Sequence, residues 1–135
     1  MKHNPIDLAV EEYSSPIEAH ATEEMSLEDM HGIMSVKGFR HLPVLKERKP
    51  VGMISLRDLN LLKSLNKHFE LTAGDIMSAD PYCVVKGSSI GEVAFHMSEK
   101  KIGSAIVVNE KGEADSIFTS IDGLNALVEI VRGDY

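Results

Sequence analysis

The chain has one cysteine, Cys83, no tryptophan and an aromatic content of 5%. A single thiol excludes an internal disulfide, and the six histidines are too dispersed for metal-ligand spacing, so no metal site is expected. Long apolar runs are missing as well. The longest aliphatic run, Ala105 to Val108, is far short of a membrane span, and the opening MKHNPIDLAVEE has no secretory apolar core, so a cytoplasmic protein without membrane attachment is expected. Lys and Arg number 14 against 21 Asp and Glu, and the net charge of −7 disfavours nucleic acid or anionic lipid as a partner through bulk attraction. Any bound anion then needs a local basic patch. Catalytic signatures are absent: there is no Walker loop, no G-x-G-x-x-G, no H-E-x-x-H and no nucleophile elbow. The expectation is a protein that is not an enzyme.

What is present is a duplication. With 43% apolar and 26% charged residues, the 135-residue chain has an ordinary globular composition and can bury one core, or two small halves that share one. In the first copy Leu42 to Leu45 reads as a strand, Lys46-Glu47-Arg48-Lys49-Pro50 as a turn too polar and Pro-interrupted to continue it, and Val51 to Leu56 as the returning strand. Ser55-Leu56-Arg57-Asp58 then has the capping-box spacing of a helix start, with Leu59, Leu62 and Leu65 following as an apolar stripe. The second copy repeats the plan with Ala105 to Val108, the turn Asn109 to Gly112, Ser116 to Phe118, the cap Thr119-Ser120-Ile121-Asp122, and a stripe of Leu124, Leu127, Val128 and Val131.

Upstream, Ser26 and Ser89 open helices in which Leu27, Met30 and Met34 match Ile90, Val93 and Met97 at a constant offset of 63 residues. Beyond the turn the offset is 64, so Ser55 matches Thr119 and Asp58 matches Asp122; one residue has been inserted in the second hairpin. Glycines near the helix ends, Gly38 and Gly103, suit C-caps or the tight loop just beyond. Ala19 to Ala21 and Tyr82 to Val85 read as the first strands, and lead-in helices are expected within Met1 to Ser15 and Leu71 to Met77. The expected division is a lead-in over 1–15, a first repeat over 16–65, an ordered linker and lead-in over 66–77, and a second repeat over 78–135.

The repeat resembles the cystathionine-beta-synthase (CBS) domain, on Arg40-His41-Leu42-Pro43-Val44 followed by Gly52-Met53-Ile54-Ser55-Leu56-Arg57-Asp58-Leu59, and on Ile102 to Val108 followed by Ile117 to Asp122. Asp75-Ile76-Met77-Ser78 with Pro81 matches the family's usual repeat opening. The resemblance implies a mixed α/β (α+β) fold of two strand-helix-strand-strand-helix repeats packed face to face with pseudo-two-fold symmetry. It implies a stand-alone regulatory pair that binds an adenosine-containing ligand (AMP, ADP, ATP or S-adenosylmethionine) between the repeats, with no covalent cofactor. A homodimer and an effector protein supplied in trans are the implied partners. The family's ribose-binding acid falls on Asp58 and Asp122, and its ribose or phosphate hydroxyl on Ser55 and Thr119. The lining stretches fall on His20, Ala21, Phe39 and Leu42 in the first copy and on Cys83, Val84, Ile102, Gly103, Ser104 and Ala105 in the second.

A carboxylate can accept both ribose hydroxyls, and a helix N-terminus offers free N–H groups to phosphate. Arg40 and His41 would meet phosphate, since Gly103 and Ser104 replace them in the second copy. That copy also has Ile106 for Pro43 and Ser116 for Gly52, so a glycine permitting close ligand approach is missing. Other readings stand beside these. The Ser55/Asp58 and Thr119/Asp122 pairs serve equally as helix caps, Arg40 and His41 as a solvated strand end, the methionines as core filling, His31 as a hydrogen-bonded half-buried residue, and Cys83 as an inert buried thiol. The rival function is a dimerisation or interaction protein with vestigial, unoccupied clefts.

Overall fold

The computed structural model describes residues 7–65 and 70–134. In chain order it holds a 3-10 turn Val10–Glu12, β1 (Ser15–Pro16), α1 (Leu27–Lys37), β2 (His41–Lys46), β3 (Lys49–Ser55), α2 (Leu56–Ser64), α3 (Ala73–Ile76), β4 (Ser78–Ala79), β5 (Cys83–Val85), α4 (Ile90–Lys100), β6 (Ser104–Val108), β7 (Ala114–Thr119) and α5 (Ser120–Arg132). The expected mixed α+β architecture is present. Part of the first lead-in and of the linker lies outside the described residues.

The chain forms two compact units, one spanning Glu18–Pro81 and the other combining the segment up to Ile17 with the chain from Tyr82 onward. We call them the first-repeat and second-repeat units. They do not coincide with the stretches 16–65 and 78–135, because each lead-in packs with the repeat that it does not precede. Ser15 and Pro16 pair antiparallel with Ile117 and Ser116, while Ser78 and Ala79 pair with Met53 and Gly52, the equivalent positions. Bridges Ala9↔Ser89 and Ser26↔Thr72 repeat the exchange beside the helix starts. Val10 and Ala73, one residue further on, are fully buried in the cores these segments join. The sheets follow one plan, β2-β3-β4 in the first-repeat unit and β5-β6-β7-β1 in the second, with β5 parallel to β6.

Several local expectations are corrected. Ala19 to Ala21 is no strand; only Ala21 bridges Val44, its N–H donating to the Pro43 carbonyl at 2.9 Å. The first hairpin turn shrinks to Glu47 and Arg48, both at positive φ (51° and 71°), and β3 runs through Pro50. Proline is tolerated there because the ladder shifts register beside it, between Val44 and Leu45. Gly38 caps α1 at φ 73°, whereas α4 is capped by Lys101 at φ 56° and Gly103 takes the other expected place, in the loop just beyond. The first lead-in is a 3-10 turn over Val10–Glu12 in its described part.

In the first-repeat core, Leu27, Met30 and Met34 of α1 meet Leu42, Val44, Ile54 and Leu59. In the second, Ile90, Val93 and Met97 of α4 meet Ala105, Val107, Phe118 and Ala126. These are the helix faces that the 3.6-residue spacing selects. The exception is α5, where Leu124, Leu127, Val128 and Val131 stay 52 to 77% exposed and only Ala126 is buried. Periodicity finds an apolar face but does not say that the same chain covers it.

Candidate functional site

In the first-repeat unit, antiparallel pairing sets His41, at the start of β2, opposite Ser55, at the end of β3. The Leu56 N–H donates to the Arg40 carbonyl at 2.8 Å, closing the strand ends onto the start of α2. Ser55 is that helix's N-cap, its Oγ accepting from the Asp58 N–H at 3.1 Å. Arg40, His41, Ser55 and Asp58 therefore gather at one strand-to-helix junction, with Arg40 and Asp58 exposed and His41 and Ser55 half-buried. Among the described residues the Asp58 carboxylate enters no hydrogen bond or ion pair, so it is available to hydroxyl donors. Burial, and then the neighbouring Arg40 charge, lower the pKa of His41, which keeps the imidazole neutral near pH 7.

The second-repeat junction has the same backbone plan and different occupants. Ser104 faces Thr119 across β6 and β7, and the Ser120 N–H donates to the Gly103 carbonyl at 3.2 Å. Here the acid is engaged: Asp122 Oδ2 accepts from the Thr119 N–H at 2.9 Å and from its Oγ1 at 3.3 Å. No cation occupies the positions of Arg40 and His41. The expected asymmetry in charge is thus joined by one in carboxylate availability.

The remaining lining residues divide. His20 is exposed and Phe39 and Val84 are half-buried. Ala21, Leu42 and Ala105, expected in the lining, are fully buried in the unit cores; strand alternation turns Leu42 and Ala105 inward with Val44 and Val107. Ile102 and Gly103 line a hollow between α4 and α5 together with Phe118 and Leu127. Cys83 lies in β5 as expected but is exposed, not buried, although partial desolvation raises its pKa. The side chain of Met77 fills the space beside Gly52, where an added Cβ would come within 2.9 Å of the Met77 Cβ, so this glycine admits the lead-in rather than a ligand.

Three further features escaped the sequence reading. Tyr82 stacks on His96 with centroids 4.2 Å apart, and Tyr13 hydrogen-bonds Glu129, which, after burial, raises its pKa. Thr72 and Asp75 form a second capping box, the Thr72 N–H donating to Asp75 Oδ2 at 2.9 Å, and its T-x-x-D spacing was visible. Among the described residues no group of three or more His, Cys, Asp or Glu could hold a metal, and no helix is long and apolar enough to cross a membrane.

The family model for the CBS domain matches residues 10–62 and 73–129. The chain belongs to the CBS domain family. Two curated relatives are an uncharacterised 17.7 kDa protein of Acidianus ambivalens, 34% identical over 67% of this chain, and the inosine-5'-monophosphate dehydrogenase of Korarchaeum cryptofilum, 32% identical over 73%. The chain spans 57% of the first and 20% of the second. Among solved CBS pairs, CBSX2 of Arabidopsis thaliana superposes with a TM-score of 0.79 at 24% identity, over 92% of this chain and 96% of that one, and has also been solved in complex with AMP. The CBS pair of protein MJ0100, in complex with 5'-methylthioadenosine and S-adenosylmethionine, gives 0.80 at 25% identity over 89% and 95%. The CBS domain of a bacterial CNNM/CorC family Mg2+ transporter in complex with ATP gives 0.81 at 24% over 92% and 89%.

Proposed function

We propose that this CBS pair is a regulatory module that binds an adenosine-containing ligand and passes its occupancy to a partner protein. The observation that carries the reading is the first-repeat junction, where an unengaged carboxylate, a capping hydroxyl and an Arg-His pair converge at one helix start. Asp58 takes the ribose hydroxyls, the N-terminus of α2 with Ser55 takes a phosphate oxygen, and Arg40 offers a two-donor fork to the same phosphate. Asp122 and Thr119 form the equivalent pair of the second repeat. Solved relatives with AMP, ATP and S-adenosylmethionine support the ligand class. To count as sensing, the ligand must bind two states of the module unequally.

The module pairs with a second copy through its exposed apolar helix faces, to which α5 contributes Ile121, Leu124, Leu127, Val128 and Val131. That face also favours a second reading, an assembly protein that binds no nucleotide. Thermal shift against AMP, ADP, ATP, NADH and S-adenosylmethionine separates the two. A ligand at 100 times its Kd adds about 2.7 kcal/mol and raises the melting temperature by several degrees. No response to any of the five, with Asp58→Ala and Asp122→Ala equally silent, leaves the assembly reading. If Arg40 holds phosphate, Arg40→Ala weakens AMP more than adenosine; equal losses remove it from that role.

A further inference from the structure

Gly32 sits in the middle of α1, where glycine weakens a helix, yet an added Cβ there would meet nothing within 4 Å. Among the described residues no contact requires it to be small. It lines a hollow of about 280 Å³ between α1 and α2, with Leu27, Leu59, His31, Glu28 and Lys63 around it. The residue 63 positions on, at the equivalent place on α4, is Phe95, and it is 66% exposed. A phenyl ring left in water is as unexplained by its own unit as the glycine is.

We propose that α4 of one copy docks on α1 of a second copy, with Phe95 seated in the hollow over Gly32. This rests on the reading that the chain pairs with itself and specifies which faces meet. An apolar cavity of about 150 Å³ already holds benzene, so the Gly32 hollow has room for the ring. Aromatic side chains buried in a partner's pocket are typical anchors of an interface. Val36, one turn along α1 and 85% exposed, extends the covered face. A two-fold pair makes the contact twice, α4 on α1 and α1 on α4. The alternative, like on like, would set Gly32 against Gly32 and Phe95 against Phe95, leaving the hollow unfilled.

Sedimentation velocity on the full chain and its Gly32→Phe, Phe95→Ala and doubly substituted forms tests this, with circular dichroism confirming that each is folded. Each single substitution is expected to weaken pairing by tenfold or more, one by filling the hollow and the other by removing the ring, and the double form should recover it. Native mass spectrometry of wild type mixed with the double form then fixes the arrangement. With α4 docked on α1, a mixed pair presses the wild-type ring onto a filled hollow at one contact and leaves the wild-type hollow without a ring at the other. The two forms therefore pair with themselves, and mixed pairs fall well below half. Mixed pairs at or above half overturn the inference, as does a double form no tighter than the singles. Wild type that stays monomeric overturns the self-pairing reading and this inference together, whereas a wild-type dimer indifferent to all three variants overturns this inference alone.

Discussion

The two units fill one backbone plan with differently distributed volume. At the same cross-strand position the first-repeat unit pairs Leu42 with Ile54, and the second pairs Ala105 with Phe118. Where the first has buried Leu59, the second has Gly123, and a Cβ there would lie 3.7 Å from the tip of the Phe118 ring. Beside the lead-in, Gly52 accommodates Met77, whereas the equivalent positions of the second-repeat unit hold Ser116 and Ser14, whose Oγ turns to the Val10 carbonyl at 2.8 Å. In each unit the fit at one position therefore depends on the residue that faces it. The same division runs through the junctions: one acid is spent on its own helix and the other is left open.

The largest expected effect comes from breaking one such pair. Phe118→Ala should cost about 3 to 5 kcal/mol in chemical denaturation, while transplanting the first-repeat pair as Ala105→Leu with Phe118→Ile should cost under about 1.5 kcal/mol. A transplant no better than the truncation would mean the units are not interchangeable at this position. Next is the lead-in contact. Gly52→Ser should cost about 1 to 3 kcal/mol by overpacking against Met77, and adding Met77→Ser should return part of it, a coupling of at least about 0.5 kcal/mol in a double-mutant cycle. Strict additivity would remove the volume exchange.

The acids sharpen the comparison at the site. Asp122→Ala should lower stability by about 1 kcal/mol, because its carboxylate caps α5, while Asp58→Ala should change it by less than about 0.5 kcal/mol. Equal losses would mean the open carboxylate is structural after all. The smallest effect is that of pH. The folded pKa of His41 is lowered, so the unfolded chain binds more protons and this residue makes the fold less stable as pH drops through the imidazole range near 6.5. A bound phosphate reverses the preference, since it stabilises the imidazolium. AMP affinity should therefore rise a few-fold between pH 8 and 6.5, adenosine affinity should stay flat, and His41→Asn should flatten the AMP profile.

The repeat, its helix starts and the inward methionines were legible because apolar spacing and hydroxyl-acid caps are local signals; Ser26, Ser55, Ser89 and Thr119 all stand at N-caps. The exchange of lead-ins was not, because two-residue strands such as β1 and β4 carry no alternation to read. Pro50 was misleading in the opposite sense, as a bulge let it join the strand. At the junctions the residue types were readable from the repeat offset. Which acid is free was not, since Ser55 and Thr119 cap alike in sequence and differ only in whether the acid folds back. The Gly32 and Phe95 pairing lay in that offset too, but became conspicuous only once both proved to lack any cause within their own unit.

Isothermal titration of AMP into wild type and into Asp58→Ala tests the central claim most directly. Saturable heat with wild type, weakened at least about tenfold by the substitution as expected for a lost charged hydrogen bond, is the result the account requires. Saturable binding of equal strength in both proteins, or no heat in either with any adenosine-containing ligand, would contradict it.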